Sequence, residues 1–509
     1  MAQPASITWF ARHELGLAWR DWAAMMTGGR RTRGMVLGAI LIVAALIMHL
    51  IAYGIVSSWL ATGIGPDKPT LVMLTGGGLL FWSVMLSQAL ESVTRVYYAR
   101  ADLDLILSSP ASAKRLFAVR TGAVALTTFA MACLLTSPLI DVLVLLDGPR
   151  WLAAFGVLGA ISALSAAIAV AVTIALFHTV GAKRTRLIAQ IIAAIVGAGF
   201  IIGIQAAAII YYGKFSRFTL LQSSDVIKVT PDLTSFVWLP ARAAMGDLSA
   251  LLPVALLGFG ALAAVIAVTA SSYGHHAIST ASVSHIRTER RPATRAFKSG
   301  SPKHVLRLKE WKLLQRDPWL LSQTLMQILY LAPPALMLWI NYGEHSGAYV
   351  VVVPVLVMAA GQLAGGLAWL AISGEDAHDL VVTAPVSARM ILTAKIEAVL
   401  TIIAIILLPL IALLALSSPQ IALVTAVCAL LSAGSATAIQ LWFRVVARRA
   451  MFRRRQVASR AATLSEAFAS IMWAGTGALW ASSSWLALAP AILAILVLGF
   501  AKLISPRRD

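Results

Sequence analysis

WLAAFGVLGAISALSAAIAVAVTIALF, residues 151–177, runs for 27 positions without one charged side chain. A bilayer core needs only about 20 predominantly apolar residues in a helix. Lipid offers the backbone no hydrogen-bond partner, so a run of this kind must satisfy its own N–H and C=O groups, and a helix does so. The run is also too uniformly apolar for the in–out alternation of a barrel strand. The rest of the chain follows the same rule. Of 509 residues, 59% are hydrophobic and 12% charged, against about 25% charged in a soluble domain. The mean hydropathy is +0.84. The fold class expected is all-α: a polytopic membrane protein of about twelve transmembrane helices.

Working outward from that run, the first half offers spans at Met35–Leu60, Leu71–Leu90, Phe117–Leu146, Trp151–Phe177, Leu187–Tyr211 and Leu251–Ala270. The second half offers Leu320–Ile340, Val350–Ile372, Ile391–Leu416, Ile421–Phe443, Ala467–Trp480 and Trp485–Ala501. The eleventh is short and interrupted by glycine. Bases fall in every second loop: Arg30, Arg31 and Arg33; Arg95, Arg100, Lys114 and Arg115; Lys183, Arg184 and Arg186; seven from Arg287 to Arg307; Arg389; seven from Arg444 to Arg460; and Lys502, Arg507 and Arg508. The intervening short loops carry only Lys68 and Arg150. By the positive-inside rule both termini are cytoplasmic, in a bacterial cytoplasmic (inner) membrane.

The net charge of +20, from 41 basic and 21 acidic residues, is therefore read as topology and not as nucleic-acid binding. Cys133 and Cys428 both lie in apolar runs and read as small core residues, not as a disulfide or metal site. Charges at Arg12, His13, Glu14, Arg20 and Asp21 leave no early uncharged segment, so no secretory signal is read there. A Ser-, His- and Arg-rich stretch at 273–307 separates a first six-span domain (1–272) from a second (308–509). The loop 212–248 with its flank holds Tyr211, Tyr212, Phe215, Phe218, Phe236 and Trp238, and reads as an aromatic anchor or re-entrant element at the interface.

An internal repeat is visible. ADLDLILSSPASAKRLFAVRTGAV (Ala101–Val124) follows span two, and EDAHDLVVTAPVSARMILTAKIEAV (Glu375–Val399) follows span eight. Aligning Pro110 with Pro385 also brings together Asp104 and Asp379, Leu105 and Leu380, Ser112 and Ser387, Lys114 and Arg389, and Arg120 and Lys395. A second match precedes the first span of each half: HELGLAWRDW (His13–Trp22) with KEWKLLQRDPW (Lys309–Trp319). There Glu14 meets Glu310, and Arg20 and Asp21 meet Arg316 and Asp317. Two parallel six-helix repeats are the expected arrangement.

The first of these segments is amphipathic, with Ile7, Ala11, Leu15, Ala18, Trp22 and Met25 at three- and four-residue spacing, and reads as a helix in the membrane plane. The segments around Pro110 and Pro385 read as a short helix, a break at the proline, and a new helix capped by Ser112 or Ser387. Such a crossing helix is either a handle for a soluble partner or a tight reversal of the chain.

Glu-Trp-x-Leu-Leu-x-Arg-Asp-Pro-Trp (Glu310–Trp319), followed by LLSQ, together with the two DL-x-x-x-x-P-x-S segments, resembles ABC-exporter permeases of the ABC-2 type. The resemblance covers both halves, its motifs amounting to about sixty residues. The first half departs from the pattern in lacking a proline after Arg20 and Asp21. It implies a membrane permease subunit of an ATP-driven ABC transporter, with both domains fused in one chain. Connecting helices are implied around Glu14–Trp22 (Glu14, Arg20, Asp21) and Glu310–Trp319 (Glu310, Arg316, Asp317). Coupling helices that dock on an ATPase are implied around Asp102–Ser109 and Asp376–Ala384, with Asp102, Asp104, Leu105, Asp376, Asp379 and Leu380 at the contact.

No GxxxxGK[ST] phosphate loop occurs, so the chain is not expected to be an enzyme or to hold a cofactor. ATP and Mg are expected on a separate ABC ATPase subunit, in two copies. The other expected partners are the lipid bilayer and a transported substrate that the sequence does not name. An ion-coupled secondary transporter with two six-helix halves is the alternative. It would use ionisable residues within spans, for which Asp141, Glu397, His49 and His178 are the candidates. A membrane-embedded metalloenzyme has only His275 and His276 in the linker to offer, with no acidic neighbour, so no metal site is expected.

Overall fold

The computed structural model describes residues 6–27, 31–63, 65–98, 112–212, 221, 223–270, 301–315, 329, 331–333, 336, 348–373, 381, 383–443 and 460–505. These are helical nearly throughout. In chain order they form α1 (Ile7–Thr27), α2 (Arg31–Thr62), α3 (Lys68–Tyr98), α4 (Ala113–Asp147), α5 (Ala153–Val180), α6 (Ala182–Tyr212), α7 (Ser224–Val229), α8 (Leu239–Ala244), α9 (Leu248–Thr269), α10 (Pro302–Gln315), α11 (Ala348–Ser373), α12 (Ala388–Ser417), α13 (Pro419–Phe443), α14 (Arg460–Ala481) and α15 (Leu488–Ile504).

Among the described residues nine helices are long and apolar enough to cross a membrane. They are α3, α4, α5, α6, α9, α11, α12, α13 and α15, matching expected spans two to six, eight to ten and twelve. The chain is a multi-pass helical membrane protein. Expected span one falls in α2, where the apolar stretch Ala45–Ala61 is shorter than those nine. Expected span seven, 320–340, lies almost wholly outside the described residues. Expected span eleven is α14, whose Ser465, Glu466, Ser470 and Thr476 lower its hydropathy. Three of these, Ser465, Ser470 and Thr476, are buried.

Two compact units are present, Met1–Ile201 with Arg217–Arg287, and Ile202–Ser216 with Thr288–Asp509. The first is built around α5, which packs against α3, α4 and α9. Its small residues make this possible. Ala160, Ala163, Ala166, Ala167 and Ala169 are buried, and small side chains let helix backbones approach closely where lipid gives no hydrophobic drive to associate. A close backbone approach occurs at Gly258 of α9. A Cβ there would lie 2.7 Å from the carbonyl carbon of Ala160 and 2.8 Å from its Cα.

The loop expected as an aromatic anchor forms two short helices, α7 and α8. Trp238 is buried and its Nε1 donates to the Asp232 carbonyl at 3.0 Å, while Phe236 is exposed. Asp247 then caps α9, accepting from the backbone N–H of Ser249 (3.0 Å) and of Ala250 (3.3 Å) and pairing with Arg242 at 2.6 Å. The Ser249 and Arg242 hydrogen bonds hold its carboxyl down from 3.8 to about 2. Since the folded state depresses this group, its contribution is present above the unfolded value and is lost as the pH falls from 3.8 towards about 2. Asp247→Asn is expected to flatten that part of the acid-unfolding curve, measured as unfolding midpoint against pH.

The second unit is built on α11, α13 and α14 in mutual contact, with α12 and α15 packed outside them. Gly477 of α14 leaves room for Val353 and Val357 of α11, at 3.1 and 3.4 Å from where its Cβ would stand. Trp473 reaches across to α13, its Nε1 donating to Ser435 Oγ at 2.9 Å. Cys428 is buried in this core and Cys133 is partly buried in the first unit, both as free thiols.

Candidate functional site

The expected connecting helices, α1 and α10, each pack on the helix that follows a proline-containing segment. α1 lies against α4, and α10 against α12. On α10 the buried face is Leu306, Glu310 and Leu314, one residue per turn with the acid in the centre. On α1 it is Phe10 and Glu14. Of the apolar stripe expected to organise α1, Leu15 is exposed and Ala11 partly so, while the side chains of Ile7, Ala18, Trp22 and Met25 are not described.

An acid on the buried face needs a cation. Glu14 is 8% exposed and its Oε1 stands 3.5 Å from Nε of Arg120, which is 3% exposed. Glu310 is fully buried. Its carboxylate receives Lys395 Nζ at 3.1 and 3.2 Å on its two oxygens, with Lys309 Nζ at 3.2 Å. Lys395 also donates to the Ala371 carbonyl, which joins α10, α12 and the end of α11 at one point. A second ion pair, Arg307–Glu397, links α10 to α12 beside the first. The sequence matches aligned Glu14 with Glu310 and Arg120 with Lys395. In the fold, each acid pairs with the base from the other match.

The remaining expected residues are less fully placed. Asp102, Asp104, Leu105, Pro110, Asp376, Asp379, Leu380, Arg316 and Asp317 lie outside the described residues, and Asp21 lies in α1 with its side chain undescribed. Arg20 is exposed, its Nε donating to the Gly16 carbonyl at 3.2 Å. Pro385 sits in a bend after which Ser387 caps α12, accepting from the Met390 N–H at 3.3 Å. Ser112 holds the same position before α4 without a side-chain cap.

The in-span candidates divide differently. Glu397 is tied to Arg307 and is half-exposed. His178 contacts the carbonyl of Ile174 at 2.9 Å through Nδ1. His49 and Asp141 come together, Nε2 to Oδ2 at 3.4 Å between α2 and α4, both partly exposed. Among the described residues no group of three or more His, Cys, Asp or Glu could hold a metal. No protein-family model, no curated protein and no solved structure matches this chain.

Proposed function

We propose that this chain is the membrane permease of an ATP-driven transporter of the ABC-2 type, an exporter, working with a separate ATPase subunit present in two copies. The observation that carries the reading is the pair of buried ion pairs, Glu14–Arg120 and Glu310–Lys395, at positions already aligned in the sequence. A planar surface helix welded by a buried charge pair to the start of a span is suited to passing force between the two. Its occurrence in both halves supports two parallel six-span repeats, twelve spans in all, with both termini cytoplasmic in a bacterial inner membrane. The segments 102–109 and 376–384 precede α4 and α12 and are the docking surface in this reading. Binding and hydrolysis of ATP with Mg belong to the partner.

The test is affinity purification of the tagged protein in mild detergent with mass spectrometry and an ATPase assay. An ATPase is expected to co-purify and to be lost on charge reversal of Asp104 and Asp379. A chain that purifies alone, with no ATPase activity under any condition, defeats the reading. The His49–Asp141 pair favours a second reading, ion-coupled transport, because ionisable residues inside spans mark ion paths. In that case reconstituted vesicles move protons with cargo, and Asp141→Asn abolishes the flux.

A further inference from the structure

The second unit holds a carboxyl that the reading above does not use. Glu466 lies near the start of α14 and accepts from Gln440 Nε2 of α13 at 2.6 Å. Gly365 of α11 makes the third wall. A Cβ there would run into the Glu466 carboxyl, so the carboxyl lies directly against the α11 backbone at this glycine. One turn along, a Cβ on Gly361 would run into Ser432 Oγ and Ser470 Oγ. Both hydroxyls are buried without a hydrogen-bond partner among the described residues. Other buried hydroxyls here donate to the carbonyl four residues back, as Ser162, Thr173, Thr425 and Thr437 do. Ser432 and Ser470 instead keep their hydroxyls between the helices.

No described cation reaches Glu466. α11 carries only Tyr349 as a titratable group, α13 only Cys428, and on α15 Lys502 is exposed. The side chain of Arg460, at the head of α14, and residues 444–459 with their arginines lie outside what is described, so this holds among the described side chains. An unpaired carboxylate inside a helix bundle is costly. The neutral acid is not. A carboxylate can only accept, whereas the protonated acid adds an O–H donor. A primary amide offers one N–H and one C=O side by side, so the acid form closes two hydrogen bonds with Gln440 where the ionised form closes one.

We propose that Glu466 and Gln440, with Ser432 and Ser470 beside them, form a proton-binding site in which the acid–amide ring clasps α13 to α14. Release is simple acid dissociation. The Glu466 O–H bond breaks, the electron pair stays on oxygen, the proton passes to water, and one of the two inter-helix bonds goes with it. Low pH closes the clasp and high pH loosens it. The site rests on the second unit alone and stands whether transport is driven by an ATPase or by an ion gradient.

The test is the thermal unfolding midpoint of the full-length protein in detergent against pH, for the wild type, Glu466→Gln and Gln440→Leu. Glu466→Gln cannot ionise, so the wild-type midpoint is expected to fall below that of the variant progressively as pH rises. Gln440→Leu is expected to lower the midpoint even at neutral pH. Parallel curves for the wild type and Glu466→Gln overturn the proposal. If Glu466→Gln does not fold, the wild type is treated with dicyclohexylcarbodiimide, which takes the proton of a protonated carboxyl in apolar surroundings and is then attacked at its central carbon by the carboxyl oxygen. An adduct on Glu466 that declines as pH rises is expected, and its absence at neutral pH overturns the site.

Discussion

Glu310→Ala is expected to destabilise the second unit by about 3–5 kcal/mol, the loss typical of removing one partner from a buried ion pair. The carboxylate is fully buried and Lys395 is 12% exposed, so the substitution leaves an ammonium in a low-dielectric site without its counter-ion. The pair itself contributes little over an apolar equivalent, because both ions were stripped of water to form it. Glu310→Leu combined with Lys395→Leu is therefore expected to recover most of the loss. Denaturant unfolding in detergent measures both. A single variant as stable as the wild type would show that Lys395 finds another anion. Glu14→Ala is expected to act in the same direction in the first unit, through Arg120.

The second large effect is expected at Gly258. Its neighbour is the backbone of Ala160 in α5, which cannot swing aside as a side-chain tip can. Gly258→Val must push α9 off α5, and overpacking of this kind costs about 1–3 kcal/mol, occasionally more. Gly260, two residues on, has no atom beyond its own stretch of helix within 4 Å of where its Cβ would stand. Gly260→Val is expected to be close to neutral. A comparison of the two unfolding midpoints separates helix approach from any general intolerance of valine in α9.

The membrane architecture was legible because composition alone defines it. Uncharged runs such as 151–177 have few other places to go. Legibility failed where a span is lined with polar groups that face inward. Span eleven reads as short and glycine-interrupted in sequence; in the fold α14 begins earlier, at Arg460, and its Ser465, Ser470 and Thr476 are buried. Glu466 itself was missed because it falls one residue before the start read for that span. Glu14, Glu310, Arg120 and Lys395 were each found, but as members of two separate matches. That two aligned segments carry opposite charges at equivalent positions was a signal of pairing, and it needed only to be read across the matches. His49 and Asp141 are 92 residues apart, and nothing in local spacing announces their meeting.

Arg307 and Glu310 lie three residues apart on α10, and each is fastened to α12, through Glu397 and Lys395. A rod pinned at one point can roll about its own axis; one pinned at two cannot. α10 is thus tied to the head of α12 at two places, one buried at Glu310 and one half-exposed at Arg307, and rolling α10 about its own axis would break both.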